Sequence, residues 1–250
     1  MESAPTSTAH SVGLTASSVA ERSETSVALV TGGAGFIGSS IVRALEADGH
    51  HVVVLDRQGE PAVDLADEDA VRRAARRVVG DFGRCDVVVH AGVTFERAAL
   101  SDLDAALMRR VMSVNVESVL WLMQELTPAM SEHGFGRVIL LVSDTFWDPP
   151  PVPDMLPYIV SKGALIGAAR SLARSLGGCG ITVNCVAPGL TPSPNGGMGA
   201  DLIEEVRRRQ AVPRTLVPND VAQVVAFLAR PESQALTGQT LCPDGGLVFR

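Results

Sequence analysis

From Val27 onward one rhythm repeats: a short apolar run, a tight turn, then a stretch whose apolar residues recur three and four apart. SVALVTG, HVVVLD, DVVVHAG, GRVILLVS, GITVNCVAPG and GQTLCPDGG read as strands. Helical spacing fills GFIGSSIVRALEADG, ADEDAVRRAARRVVG and the spans of about 102–133, 156–176, 201–210 and 220–229. Several strands are apolar at every position, so both of their faces must be buried. Such strands alternating with helices predict an α/β fold: a doubly wound parallel sheet with helices on both faces. The span 102–133 is expected to break near Ser113 or Pro128.

No linker interrupts residues 26–250, which read as one domain. Residues 1–25 are rich in Ser, Thr and Ala, with neither a basic start nor an apolar run. They read as a disordered tail rather than a secretory signal. The formal net charge is −7 and the Arg residues are scattered among acids, which argues against a nucleic-acid partner. No apolar segment is long enough to cross a membrane. Cys85, Cys179, Cys185 and Cys242 form neither a C-x-x-C pair nor a His-linked spacing, so no metal site is expected. Four such thiols fit a reducing cytoplasm.

Thr31–Gly38 reads T-G-G-A-G-F-I-G, between the first strand and the first helix. Gly32 and Gly35 let the turn bring its backbone, with Phe36 and Ile37, against a pyrophosphate at the helix N-terminus. Asp56 closes the second strand, 18 residues after Gly38. A carboxylate there can accept from both hydroxyls of an adenosine ribose and repels a 2′-phosphate, which favours NAD over NADP. Arg57 beside it pulls the other way, because an Arg can pair with phosphate.

The chain holds one Tyr, and of its 21 basic Lys and Arg residues only one is Lys. Both stand in Y-I-V-S-K, as Tyr158 and Lys162, on one face of a helix. A compositional drift toward Arg explains their scarcity but not their adjacency. A Lys cation beside a phenol favours the phenolate. Bringing a phenol from about 10 to neutrality needs about 4 kcal/mol, part of it from an oxidised nicotinamide ring. Such a phenol can exchange a proton with an alcohol or ketone oxygen.

With these pieces in order, the chain from Val27 onward resembles the short-chain dehydrogenases/reductases. The resemblance rests on the glycine turn, Asp56, Asp64-Leu65, Ala91-Gly92, Asn115 in VMSVNVESV and Ser143 after GRVILLV. It continues with Tyr158-x-x-x-Lys162, Asn184, Pro188-Gly189 and TGQTLCPDGG. It implies a Rossmann-like sheet of about seven strands and a catalytic group of Asn115, Ser143, Tyr158 and Lys162. By the resemblance Tyr158 is the general acid/base and Ser143 polarises the substrate oxygen. Lys162 holds the nicotinamide ribose, and Asn115 holds a relay water. Asp64 and Leu65 flank the adenine, and Ala91, Gly92 and Val93 lie along the adenosine ribose side. Pro188, Gly189, Leu190, Thr191 and Ser193 lead to the carboxamide end. A homotetramer or dimer through the spans 102–133 and 156–176 is implied too.

Three departures stand out. The turn is T-G-x-x-G-x-x-G, with Phe36 where the short members usually carry Gly; the extended members, many of them sugar-nucleotide epimerases, share this spacing. Val89-His90-Ala91-Gly92 replaces Asn-Asn-Ala-Gly, and His90 reads as a buried, hydrogen-bonded strand-end residue. Ser143 precedes Tyr158 by 15 positions, with the extra residues in the Pro-rich DTFWDPPPVPDML.

Val93, Phe95, Asp144, Phe146, Trp147, Leu156 and the segment 190–198 are expected to wall the substrate pocket. They include no Arg or Lys, so a neutral, hydrophobic or aromatic ketone and its secondary alcohol are the expected small-molecule substrates. PSPNGGMGADL reads as a mobile lid. The alternatives are an NAD-using epimerase without net cofactor turnover, a 3-oxoacyl-carrier-type reductase and a non-catalytic dinucleotide sensor. A sensor would need Asp56 but neither Tyr158 nor Lys162.

Overall fold

A computed structural model describes residues 25–59, 61–194 and 199–249. Most of the N-terminal tail reading and part of the lid reading, with the pocket-wall positions 195–198, lie outside them.

Six strands form one parallel sheet: β1 (Val27–Thr31), β2 (His51–Leu55), β3 (Val87–His90), β4 (Gly136–Leu141), β5 (Ile181–Val186) and β6 (Thr240–Leu241). Their spatial order is β2-β1-β3-β4-β5-β6. The seventh strand implied by the resemblance has no ladder here. Around Val63, where a seventh strand would lie, the Val63 N–H donates to the Asp56 carbonyl just past β2 (2.9 Å), with no strand ladder among the described residues.

Every residue of β1, β3, β4 and β5 is buried because each strand feeds two cores. Val27, Leu29, Val88, Val138, Leu140 and Val183 face one, while Ala28, Val30, Val87, Val89, Ile139 and Leu141 face the other. The period-2 alternation of a strand makes this division. Helix α1 (Gly38–Ala47) and α7 (Pro218–Ala229) cover the second core. Helix α2 (Glu68–Phe82), α4 (Ser118–His133) and α5 (Leu156–Leu176) cover the first. Helix α6 (Ala200–Arg209) has no buried residue.

The expected break near Ser113 is present as one π-helical turn, Ser113–Glu117, between α3 (Ala105–Met112) and α4. Pro128 sits inside α4 without ending it. Asp104 caps α3 by accepting from the Leu107 N–H (2.6 Å), which places the helix start three residues after Asp102. The π-turn carries Asn115, fully buried. A π-turn widens the helix locally and turns a backbone carbonyl away from its usual partner.

Candidate active site

The chain runs from β1 to β2 on one side and then crosses back past β1 to β3 on the other, and a crevice opens at this reversal at the C-terminal strand ends, the ligand-binding position of doubly wound sheets. A cleft of about 360 Å³ occupies it. Its lining includes Gly32, Gly35, Asp56, Arg57, Asp64, Leu65, Ala91, Gly92 and Val93, which the sequence singled out. The sequence did not point to Gln58, Thr94, Glu96, Arg110 or Val114 in the same wall. Arg110 is ion-paired with Glu96 (2.8 Å), a contact between β3's loop and α3 that no local pattern encodes.

The glycine turn is packed to its limit. A Cβ on Gly38 would stand 2.0 Å from the Gly32 carbonyl oxygen, a backbone atom that cannot swing aside. No side chain caps the α1 N-terminus; its Ser39 and Ser40 amides donate to the Gly35 (2.9 Å) and Ile37 (3.0 Å) carbonyls. Asp56 braces the turn: its carboxylate accepts from the Ala34 N–H (3.2 Å) and the Gln58 N–H (3.1 Å). Gly38→Ala is expected to displace the turn, costing about 1–3 kcal/mol and at least about tenfold in NADH affinity. Gly80→Ala, inside α2 with open space around it, is the control and should stabilise slightly. Urea unfolding with parallel NADH titration checks both.

Beyond the cleft the chemistry-bearing residues converge. Lys162 is buried, and its ammonium donates to the Leu141 carbonyl at the end of β4 (2.7 Å). Its Nζ lies 5.4 Å from the Tyr158 ring centroid. Burial pulls the Lys162 ammonium down to about 8. The Tyr158 ring keeps some exposure while its hydroxyl is enclosed near the Ser143 hydroxyl. Burial pushes the phenol up to about 12, with the nearby Ser143 hydroxyl working against the rise and the charge of Asp144 adding to it. This corrects the expectation that spacing alone lowers the phenol. The Lys162 ammonium gives one of its three N–H groups to a backbone carbonyl, and burial of the phenol makes the protein by itself favour the neutral Tyr158.

Asn115 ties the pieces together. Its amide donates to the Ser161 hydroxyl (3.0 Å) and the Thr94 carbonyl (3.1 Å), and its side-chain oxygen accepts from the Thr94 N–H (2.8 Å). Its backbone carbonyl can only accept, so His90 Nε2 carries the proton and donates to it (3.0 Å). His90 Nδ1 then accepts from the Thr31 hydroxyl (2.9 Å), which itself accepts from the Gly92 N–H (3.0 Å). Burial first, and then the Lys162 charge, pull His90 down to about 3 and keep it neutral. His90 is thus the buried, hydrogen-bonded strand-end residue expected, linking the glycine turn to the π-turn.

The walls differ in character. Phe95 is half-exposed and meets the Tyr158 ring edge-on at 4.8 Å. Phe146 lies on α5 at Gly163, where a Cβ would meet its ring at 2.6 Å, so this glycine makes the aromatic shelf possible. Trp147 packs edge-on against Phe146 (4.8 Å) and against the core, a packing residue more than a wall. Asp144 is buried and turned to Ser143, so it is not an open wall either. Pro188 accepts from the Asp144 N–H (3.3 Å) and Gly189 packs on Asp244, setting the segment through Leu190, Thr191 and Ser193 against the C-terminal loop. Phe36 is half-exposed beside the turn.

A family model described as enoyl-(acyl carrier protein) reductase matches residues 32–248. The short-chain reductase protein NovJ of Streptomyces niveus is 33% identical, over 90% of this chain and 94% of its own. The chain belongs to the short-chain dehydrogenase/reductase family. Another member, cis-4-hydroxycyclohexanecarboxylate dehydrogenase of Sinomonas cyclohexanicum, is 31% identical over 88% of this chain and 95% of its own. Among solved structures of the family, a short-chain dehydrogenase from Burkholderia cenocepacia J2315 in complex with NADP superposes with a TM-score of 0.79 at 34% identity, covering 90% of this chain and 99% of that one. Membership accounts for the parallel sheet and for the convergence of Asn115, Ser143, Tyr158 and Lys162 at one end of the cleft.

Proposed function

We propose that this chain is an NAD(H)-dependent oxidoreductase that interconverts a neutral, hydrophobic or aromatic secondary alcohol and its ketone. The observation that carries the reading is the enclosed hydroxyl pair of Ser143 and Tyr158, with the buried Lys162 ammonium behind it, beside a cleft built on the glycine turn. The residues present fit a nicotinamide dinucleotide: a turn with no room for a Cβ, an uncapped helix N-terminus and a carboxylate at the cleft wall. Bound there, such a cofactor supplies or accepts the hydride.

The chain's own residues do the rest. Gly32, Gly35, Phe36 and Ile37 would hold the pyrophosphate, and Asp56 the adenosine ribose, with Asp64, Leu65, Ala91 and Gly92 around the adenosine. Pro188, Gly189, Thr191 and Ser193 would meet the carboxamide end. Ser143 orients the substrate oxygen, and Tyr158 gives that oxygen a proton in reduction and takes it in oxidation. Lys162 would hold the nicotinamide ribose and keep a positive charge near the phenol. Asn115 and His90 fix the buried end of the site.

Asp56 supports NAD, while the Burkholderia relative holds NADP. Phe95 and Phe146 support an apolar substrate, and of the cations lining the cleft Arg110 is paired with Glu96 while Arg57 stands beside Asp56. A carrier-bound acyl substrate is the second reading, favoured by the description of the matching family model. One catalytic domain over residues 26–250, a cytoplasmic location and a homotetramer or dimer belong to the same reading. No helix among the described residues is long and apolar enough to cross a membrane.

The test is NADH oxidation with a panel of neutral cyclic and aryl ketones beside keto acids and acyl thioesters. The reading expects net oxidation matched by alcohol formation, strongest with the neutral ketones. Turnover confined to keto acids would sink the apolar pocket, and turnover confined to thioesters would favour the second reading.

A further inference from the structure

Ser143 has one proton to give, and the structure shows where it goes. Its oxygen accepts from the Thr145 hydroxyl (2.9 Å) and from the Thr145 N–H (3.3 Å). Its own hydroxyl donates to Asp144 Oδ1 (3.4 Å). A hydroxyl is a single donor, so the proton that a substrate oxygen would use is held by the neighbouring carboxylate.

Asp144 stands in an enclosed cluster. It is 6% exposed, and Asp244 of the C-terminal loop, 1% exposed, faces it. Asp244 accepts from the Gly246 N–H (2.8 Å) and the Val248 N–H (2.9 Å). Burial first, and then the charge of Asp244, disfavour an ionised Asp144. The other charged or titratable groups around it are Asp148, paired with Arg209 (2.5 Å), and Tyr158 on α5, with Lys162 turned away toward Leu141.

We propose that Asp144 is a positioning residue that governs the Ser143–Tyr158 pair: charged, it draws the Ser143 proton to itself and opposes the Tyr158 phenolate; neutral, it frees that proton for the substrate oxygen. The proposal rests on the reading of Ser143 and Tyr158 as the reacting pair. Burial, reinforced by Asp244, pushes the Asp144 carboxyl up to about 6, so the two states exchange close to neutrality. The sign follows. Ketone reduction should be fastest below the Asp144 ionisation and fall through it as pH rises.

The experiment is the pH profile of kcat/KM for ketone reduction by the wild type, Asp144→Asn and Asp244→Asn. The wild type should lose about fivefold to tenfold through an inflection near pH 6, the worth of one hydrogen bond to the reacting oxygen. Asp144→Asn, always neutral, should lack that inflection and leave the KM for NADH unchanged. Asp244→Asn, with the like charge removed, should move it to lower pH. A readout without turnover stands beside it: Tyr158 is the only tyrosine, so tyrosinate absorbance reports this phenol alone. Its titration should begin at lower pH in Asp144→Asn. An inflection near pH 6 that persists in Asp144→Asn, or a tyrosinate titration that does not move, overturns the proposal. If no ketone oxidises NADH but the tyrosinate titration moves, the substrate reading fails and the coupling stands.

Discussion

Tyr158→Phe should lose about 10²- to 10⁴-fold in kcat with NADH affinity unchanged. Phe keeps the ring, its edge-on contact with Phe95 and its place by Lys162, and removes only the enclosed hydroxyl near Ser143. No other phenol exists in the chain to replace it. Single-turnover kinetics beside an NADH titration separates the two quantities. A variant that turns over within a few-fold of the wild type would remove Tyr158 from the chemistry. Equal loss of binding and rate would mean the substitution disturbed the fold.

Lys162→Met should change the pH dependence of stability more than any other single substitution here. Lys162 is held at about 8 in the fold against 10.5 in a free chain, with burial the leading cause. Between those values the unfolded chain binds more protons than the native one, so this group makes stability rise with pH. The cost is complete below pH 8 and gone above about 10.5, and it amounts to about 3 kcal/mol. The buried thiols of Cys85 and Cys185 and the Tyr158 phenol, all pushed up to about 12, work the other way at high pH but are present in both proteins and largely subtract out. Urea unfolding at pH 7 and pH 10 should therefore show the wild type gaining on Lys162→Met as pH rises. Parallel curves would mean that the ammonium is not enclosed in solution. The same variant should be inactive, so a natural site retains a costly charge where chemistry needs one.

Much of the architecture was legible because parallel strands buried on both faces must be apolar at every position. Val87–Val89 and Val138–Leu141 announce themselves in that way. The strand expected beyond β2 was not legible, because the segment around Val63 looks the same with or without a ladder. The break at Ser113 could be expected, but its π form could not, since the apolar spacing runs on through it. At the site, the glycine turn, Asp56 and the Tyr158–Lys162 pair were visible because each depends on local spacing. What spacing hides is direction. Four residues along a helix bring Lys162 near Tyr158 but do not say that its Nζ turns to the Leu141 carbonyl. Nor can sequence pair His90 with an oxygen 25 residues away, or set Asp144 opposite Asp244 across the fold.

The central claim is that this cleft holds NAD(H) against the glycine turn, with Asp56 deciding between the two dinucleotides. The direct measurement is a fluorescence titration of the purified protein with NADH and, separately, NADPH, repeated with Asp56→Asn. Saturable NADH binding is expected, with NADPH binding at least about tenfold weaker and a gap that narrows in the variant as the repulsion of a 2′-phosphate is lost. Tighter binding of NADPH by the wild type would mean that Arg57 outweighs Asp56. Binding of neither would contradict the account at its base.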